Sequence, residues 1–157
     1  MLNILELYVA LQQNLPRNHF IGVYAANQLP PSIHTFTAAI IINTAPSNKP
    51  GEHWVAVYIS NSGHGEYFNS YGLPPYIPYH IRFLKRNCLF YTWNNRCIQG
   101  DLSQFCGHYS FLYLACRASG YSLQDFLNKF STGNINVSDI MLYSFMRMVP
   151  GVRLSSP

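Results

Sequence analysis

Gln99-Gly100-Asp101-Leu102-Ser103-Gln104-Phe105-Cys106-Gly107-His108 runs without a break into Tyr109-Ser110-Phe111-Leu112-Tyr113-Leu114-Ala115-Cys116. The first half is polar and carries Gly and Ser. The second half is apolar on every side, which predicts a helix buried in a core and not one lying on a surface. Cys106 therefore stands where a loop becomes the first turn of that helix. Unpaired N–H groups and the positive end of the helix dipole favour an anion there, so ionisation of the thiol is expected to be helped. Gly107 lets backbone or substrate approach with no Cβ in the way. Taken alone, a cysteine in this place can equally be a small buried hydrophobe. The rest of the chain has to decide.

The totals narrow the class. A length of 157 residues fits one domain, large enough to bury a core without staples. With 48% of residues hydrophobic and only 10% charged, the chain is globular and not disordered. A formal charge of +4 permits contact with nucleic acid without requiring it. Cys88, Cys97, Cys106 and Cys116 include no Cys-x-x-Cys pair, so no metal site is expected. No apolar run approaches twenty residues, and no basic start leads into an apolar signal core. The expectation is a soluble, non-secreted protein of a reducing compartment, without a membrane partner.

Around the central stretch the elements fall in order. Asn3 with Glu6 reads as a capping box, and Leu5, Tyr8, Val9 and Leu11 continue a helix that ends before Pro16. Phe20 to Tyr24 is apolar, and Leu29-Pro30-Pro31-Ser32 marks a turn. Phe36 to Asn43 predicts a buried strand, and His53 to Ile59 a second. A hairpin loop at Asn61 to Gly65 returns into a short strand, Glu66 to Asn69. Tyr79 to Arg86 reads as a short helix and Leu89 to Trp93 as a strand. Ser122 and Ser138-Asp139 each read as helix starts, and the last helix is expected to run to about Met148, before Pro150. This is an α+β domain over 1–157, with a mixed central sheet assembled from the middle of the chain and flanked by helices.

Two residues on that scaffold bear on Cys106. If the strands on either side of the Asn61–Gly65 loop pair, His53 at one strand's start and Asn69 at the other's end are neighbours. A carboxamide beside an imidazole can fix which ring nitrogen faces a third group. If that group is Cys106, the set is a thiol nucleophile, a base and an orienting residue. Each also has a plainer reading: a strand-edge histidine, a turn asparagine, a surface amide at Gln99. His19, His34, His64, His80 and His108 lie in loops or lack a partner at useful spacing and read as structural or solvent-facing. His108 follows Cys106 by two residues on a helix, so it points to another face.

At these residues the chain resembles the adenain family, the adenovirus cysteine proteases, together with related proteases of virus-like transposons. Gly51-Glu52-His53-Trp54 is similar to the family's Gly-x-His-Trp segment, and Phe68-Asn69-Ser70-Tyr71-Gly72 to its Phe-acidic-x-x-Gly segment. Gln99, followed at the family's spacing by Cys106-Gly107, is similar to its glutamine-to-nucleophile stretch. Phe20-Ile21-Gly22-Val23-Tyr24, Ile41-Ile42-Asn43-Thr44-Ala45 and Leu142-Tyr143-Ser144-Phe145 also have family counterparts, so the likeness covers most of the chain.

The resemblance implies a cysteine endopeptidase, with Cys106 as nucleophile, His53 as general base and Gln99 as oxyanion donor beside the Cys106 N–H. Asn69 stands where the family carries Glu or Asp. Papain-like enzymes use a Cys-His-Asn set, so Asn69 is expected to lower or shift activity without abolishing it. The substrates implied are viral or mobile-element precursor proteins, capsid or core, cut by a monomer in the virion and in the host nucleus or cytoplasm. The family also uses an activating peptide joined by a disulfide, and viral DNA. Cys88 matches the position of the peptide-accepting cysteine, and Arg82, Lys85 and Arg86 are the candidate DNA contacts, expected also to favour the Cys88 thiolate. Two alternatives stay open: a deconjugating protease of ubiquitin-like modifiers, and a catalytically weak relative that binds DNA or a capsid protein.

Overall fold

The computed structural model describes residues 1–101, 103–130 and 133–149. Leu102 in the central stretch and the stop at Pro150 lie outside them. Five strands form one mixed sheet in sequence order: β1 (Phe20–Tyr24), β2 (Ala38–Asn43), β3 (Trp54–Ile59), β4 (His64–Phe68) and β5 (Phe90–Trp93). The outer pairs β1–β2 and β4–β5 are parallel, and the two inner pairings are antiparallel. Ala38 to Asn43 and Trp54 to Ile59 are buried throughout, because both strands are covered on both faces.

One face is covered by α1 (Ile4–Asn14) and α3 (Cys106–Ala118), with α4 (Leu123–Leu127) and α5 (Ile135–Met146) behind them. Leu7, Leu11, Ile41, Tyr109, Phe111, Tyr113 and Phe126 belong to this larger core. The other face carries α2 (Pro78–Asn87), whose Phe83 and Leu84 meet Ile40, Ile42, Val55 and Val57. The three layers follow from the sequence pattern: α3 is sandwiched between sheet and outer helices, so all nine residues from Cys106 to Leu114 are buried.

α1 starts as expected, with the Asn3–Glu6 capping box closed in both directions. α4 likewise starts on Ser122. The expected start at Ser138-Asp139 is corrected. α5 begins at Ile135 behind Asn134, whose side chain accepts from the Asn136 N–H at 3.0 Å, and Ser138 is buried inside the helix. The helical assignment ends at Met146, followed by a turn, and not at Met148. Of the two readings left for His80, structural or solvent-facing, the first holds: it is buried in α2, inside the helix expected over Tyr79 to Arg86.

Candidate active site

Strand register builds the histidine side of the site. Ala56 pairs with Phe68, and continuing that register sets His53 opposite Tyr71, with Asn69 on the diagonal. The His53 ring stacks on Tyr71 with centroids 4.7 Å apart, and its Nε2 lies 2.9 Å from Asn69 Oδ1. The Tyr71 backbone N–H also donates to Asn69 Oδ1, at 2.9 Å. A main-chain N–H can only donate, so that atom is the amide oxygen, and His53 must bring its hydrogen on Nε2. Nδ1 then keeps the lone pair, which makes it the basic nitrogen.

Asn69 is itself clamped. Its N–H donates to Asn94 Oδ1 at 2.9 Å, and Asn94 Nδ2 donates back to the Asn69 carbonyl at 2.7 Å. Gly72 has φ +74°, and a Cβ there would lie 2.7 Å from the Arg96 carbonyl carbon. Only glycine lets the 69–72 turn lie against the chain at Arg96–Cys97. The loop before His53 hangs on Asn43, whose Oδ1 accepts from the N–H groups of Ala45 and Glu52 at 2.9 and 3.1 Å. The Thr44 N–H reaches the His53 carbonyl at 2.9 Å.

Cys106 opens α3 beside this set and is 2% exposed. The backbone N–H of Trp54, the residue after His53, points its positive end toward Cys106 strongly enough to favour the thiolate. A Cβ on Gly107 would sit 3.2 Å from Trp54 Cδ1, so glycine lets the first turn of α3 close onto that ring. The hydroxyl of Ser110 bonds the Trp54 carbonyl at 3.3 Å, one turn further on. Tyr71, stacked on His53, lies near enough to Cys106 that a thiolate there would raise its pKa further, after burial. His53, Asn69, Tyr71 and Cys106 are thus gathered from three separate segments.

The electrostatics correct one expectation. Burial pushes the Cys106 thiol up, and the N–H groups of Trp54, Gly107 and Cys106 itself only pull against it. Burial likewise lowers His53, opposed by its bond to Asn69. Desolvation outweighs the helix start, because removing water from a thiolate costs more than a partial dipole returns. Both shifts favour a neutral thiol beside a neutral imidazole in the unliganded protein.

Gln99 is fully buried in the loop leading to α3. Its Oε1 accepts from the Ser70 hydroxyl and its Nε2 donates to the Ser103 carbonyl at 2.9 Å. The N–H groups of Ile98 and Gln99 both reach the Ser70 carbonyl, at 2.8 and 3.1 Å. A groove of about 370 Å³ opens beside Trp54, lined also by Leu2, Ile4, Asn43, Ala45 and Gly51.

The regulatory candidates lie elsewhere. Arg82, Lys85 and Arg86 are on α2; Arg82 and Arg86 line a small cleft with Tyr79, over whose ring Arg82 sits at 5.0 Å. Cys88 caps α2 and packs against Gly65, and burial pushes its thiol up to about 11. The basic residues before it therefore do not produce the thiolate expected of them. All four cysteines are free. Among the described residues no cluster of His, Cys, Asp and Glu could hold a metal, and no helix is long and apolar enough to cross a membrane.

Sequence reasoning missed Ser70, Tyr71 and Asn94 as partners of the site, and His80 as a buried link. The segment Phe68-Asn69-Ser70-Tyr71-Gly72 did carry a signal: a residue at each end of the hairpin was already expected to meet.

No family model and no curated protein matches the sequence. Among solved structures, the chain is similar to the ASFV pS273R protease, with 27% identity and a TM-score of 0.55 over 75% of this chain. The chain spans 44% of the length of that protease. The central domain of Lpg1148 from Legionella pneumophila matches in fold, with a TM-score of 0.51 at 18% identity, over 95% of this chain and 97% of that one. The fold is α+β, with a five-stranded mixed sheet and a buried cysteine at the start of α3, and it resembles a cysteine-protease fold.

Proposed function

We propose that this domain is a cysteine endopeptidase of the adenain type that processes precursor proteins of a virus or mobile element. The observation that carries the reading is the hydrogen bonding around His53. Asn69 holds the Nε2 hydrogen and leaves Nδ1 basic, while Tyr71, stacked on the same ring, lies within electrostatic reach of Cys106. In this mechanism His53 Nδ1 takes the thiol proton as the sulfur attacks the peptide carbonyl. The developing oxyanion is met by the Cys106 N–H and one Nε2 hydrogen of Gln99. The imidazolium then gives its proton to the departing amine, and water, activated by the same ring, hydrolyses the thioester. The neutral resting pair fits a base that works at the moment of attack. Likeness in fold to a viral protease supports the peptidase class.

Regulation is part of the proposal: Arg82, Lys85 and Arg86 meet DNA phosphates, and Cys88 serves an activating peptide only after it is uncovered. The test is cleavage of the precursor proteins encoded beside this gene, with fragments mapped by mass spectrometry. Wild type should cut at discrete sites and Cys106→Ser should not, because serine is too weakly acidic for this base. DNA should raise the rate, the effect should fade with added salt, and Arg82, Lys85 and Arg86 changed together to Ala should remove it. Equal cleavage by Cys106→Ser would overturn the peptidase reading. Activity indifferent to DNA would overturn the regulatory part alone.

A further inference from the structure

We infer that Ser70 is a positioning residue for the Gln99 carboxamide, so that the Asn69-Ser70-Tyr71 tripeptide sets the geometry of both the base and the oxyanion donor. The inference rests on the reading of Gln99 as that donor. Asn69 holds the His53 ring by its edge and Tyr71 covers its face. Ser70, between them, faces the other way. It is fully buried, its hydroxyl donates to Gln99 Oε1, and its carbonyl accepts from the N–H groups of Ile98 and Gln99.

The consequence for Gln99 is a fixed amide. Oε1 faces a hydroxyl donor, and one Nε2 hydrogen is taken by the Ser103 carbonyl at 2.9 Å. An amide carries two such hydrogens, so one is left without a protein acceptor among the described residues. Rotating the amide by half a turn would set oxygen against the Ser103 carbonyl, and the Ser70 hydroxyl adds a second bond that rotation would disrupt. A donor that does not have to reorient as charge develops is what makes such a group effective. Without the hydroxyl, Gln99 is anchored by Ser103 alone and samples orientations that withdraw the free hydrogen.

Ser70→Ala removes the hydroxyl and keeps the main-chain bonds to Ile98 and Gln99. Loss of an oxyanion donor lowers kcat by about 10²–10³, and loss of its orientation should cost a part of that, roughly tenfold, with KM little changed. In a Gln99→Ala background the same substitution should cost nothing further, since the effect acts through Gln99. Additive losses, or full kcat in Ser70→Ala, would overturn the inference. A second readout does not depend on turnover: the side-chain amide protons of Gln99, assigned by NMR through Gln99→Ala. In wild type they should exchange slowly with solvent; in Ser70→Ala they should exchange faster. Gln99 protons that exchange as fast as an exposed amide in wild type, or that are unchanged in Ser70→Ala, sink the proposal. If Gln99→Ala keeps full turnover, the oxyanion reading fails instead, and the amide resonances still decide whether Ser70 holds Gln99.

Discussion

The tautomer of His53 is decided by a main-chain hydrogen. The Tyr71 N–H fixes Asn69 Oδ1 as oxygen, that oxygen fixes the His53 hydrogen on Nε2, and the basic lone pair is left on Nδ1. An aspartate at 69 would make the same two bonds and add a charge that favours the imidazolium. Asn69→Asp should therefore raise the pH at which His53 loses its proton, followed by the ring resonances in NMR, with turnover kept. It should also be less stable, by about 1–3 kcal/mol, because the oxygen replacing the buried, unpartnered Asn69 Nδ2 would carry carboxylate charge with no donor facing it. A folded Asn69→Asp protein with an unmoved His53 titration would mean that the 69–53 bond does not govern the ring. The neighbourhood of His53 and Asn69 was legible in the sequence, because a hairpin loop of known length brings its two ends together. The direction of the Cys106 shift was not. A helix start can be read from residue types, but the burial that outweighs it comes with a core shared with residues distant in sequence, Trp54 and Leu7 among them.

At the scale of elements, His80 ties α2 to the sheet at the strand end that carries the site loop. Its Nε2 donates to the Asn43 carbonyl at 3.0 Å, which leaves Nδ1 to accept from the Tyr67 hydroxyl at 3.0 Å. Burial, the largest influence, lowers His80 from 6.5 to about 4, the bond to Asn43 opposes it, and His53 adds a smaller lowering. As pH falls through 6.5 the unfolded chain takes up a proton that the folded one refuses until about 4. The stability due to a neutral His80 is thus complete above 6.5 and lost progressively toward 4, by about 3 kcal/mol. Melting from pH 7.5 to 4 should show that decline, and His80→Gln, which can keep both bonds without titrating, should decline less. Identical slopes would contradict the buried link. The sequence placed α2 correctly but gave no sign of this role, since His80 alternates with exposed Tyr79 and a basic stripe. It also misread α5, where Ser138-Asp139 imitates a cap. The real cap is Asn134, and Asp139 accepts a 2.6 Å hydrogen bond from Tyr109 in α3.

Across the whole molecule, three layers put Cys106 and His53 on different elements. α3 is pressed onto β3 by the apolar core, and Gly107 beside Cys106 lets the first turn of α3 pack closely on Trp54. A buried network on the same helix locks it further: Glu66 of β4 accepts from Tyr113 and, at 2.9 Å, from Arg117. The order of elements and the apolar character of α3 were visible in the sequence, since periodicity reports burial directly. The pairing of α3 with Trp54, and of Gln99 in the loop before it with Ser70, was not, because long-range packing has no period. The central claim is that packing makes one thiol of four a working nucleophile through His53. The most direct measurement is the rate at which each cysteine is alkylated by a peptide-mimetic electrophile across pH 5 to 9, resolved by mass spectrometry, in wild type and in His53→Ala. The account predicts that a peptide-mimetic electrophile modifies Cys106 well ahead of Cys88, Cys97 and Cys116 near neutral pH, and that His53→Ala removes this lead while leaving the other three unchanged. A Cys106 that reacts no faster than the buried Cys88, or equally fast without His53, would contradict it.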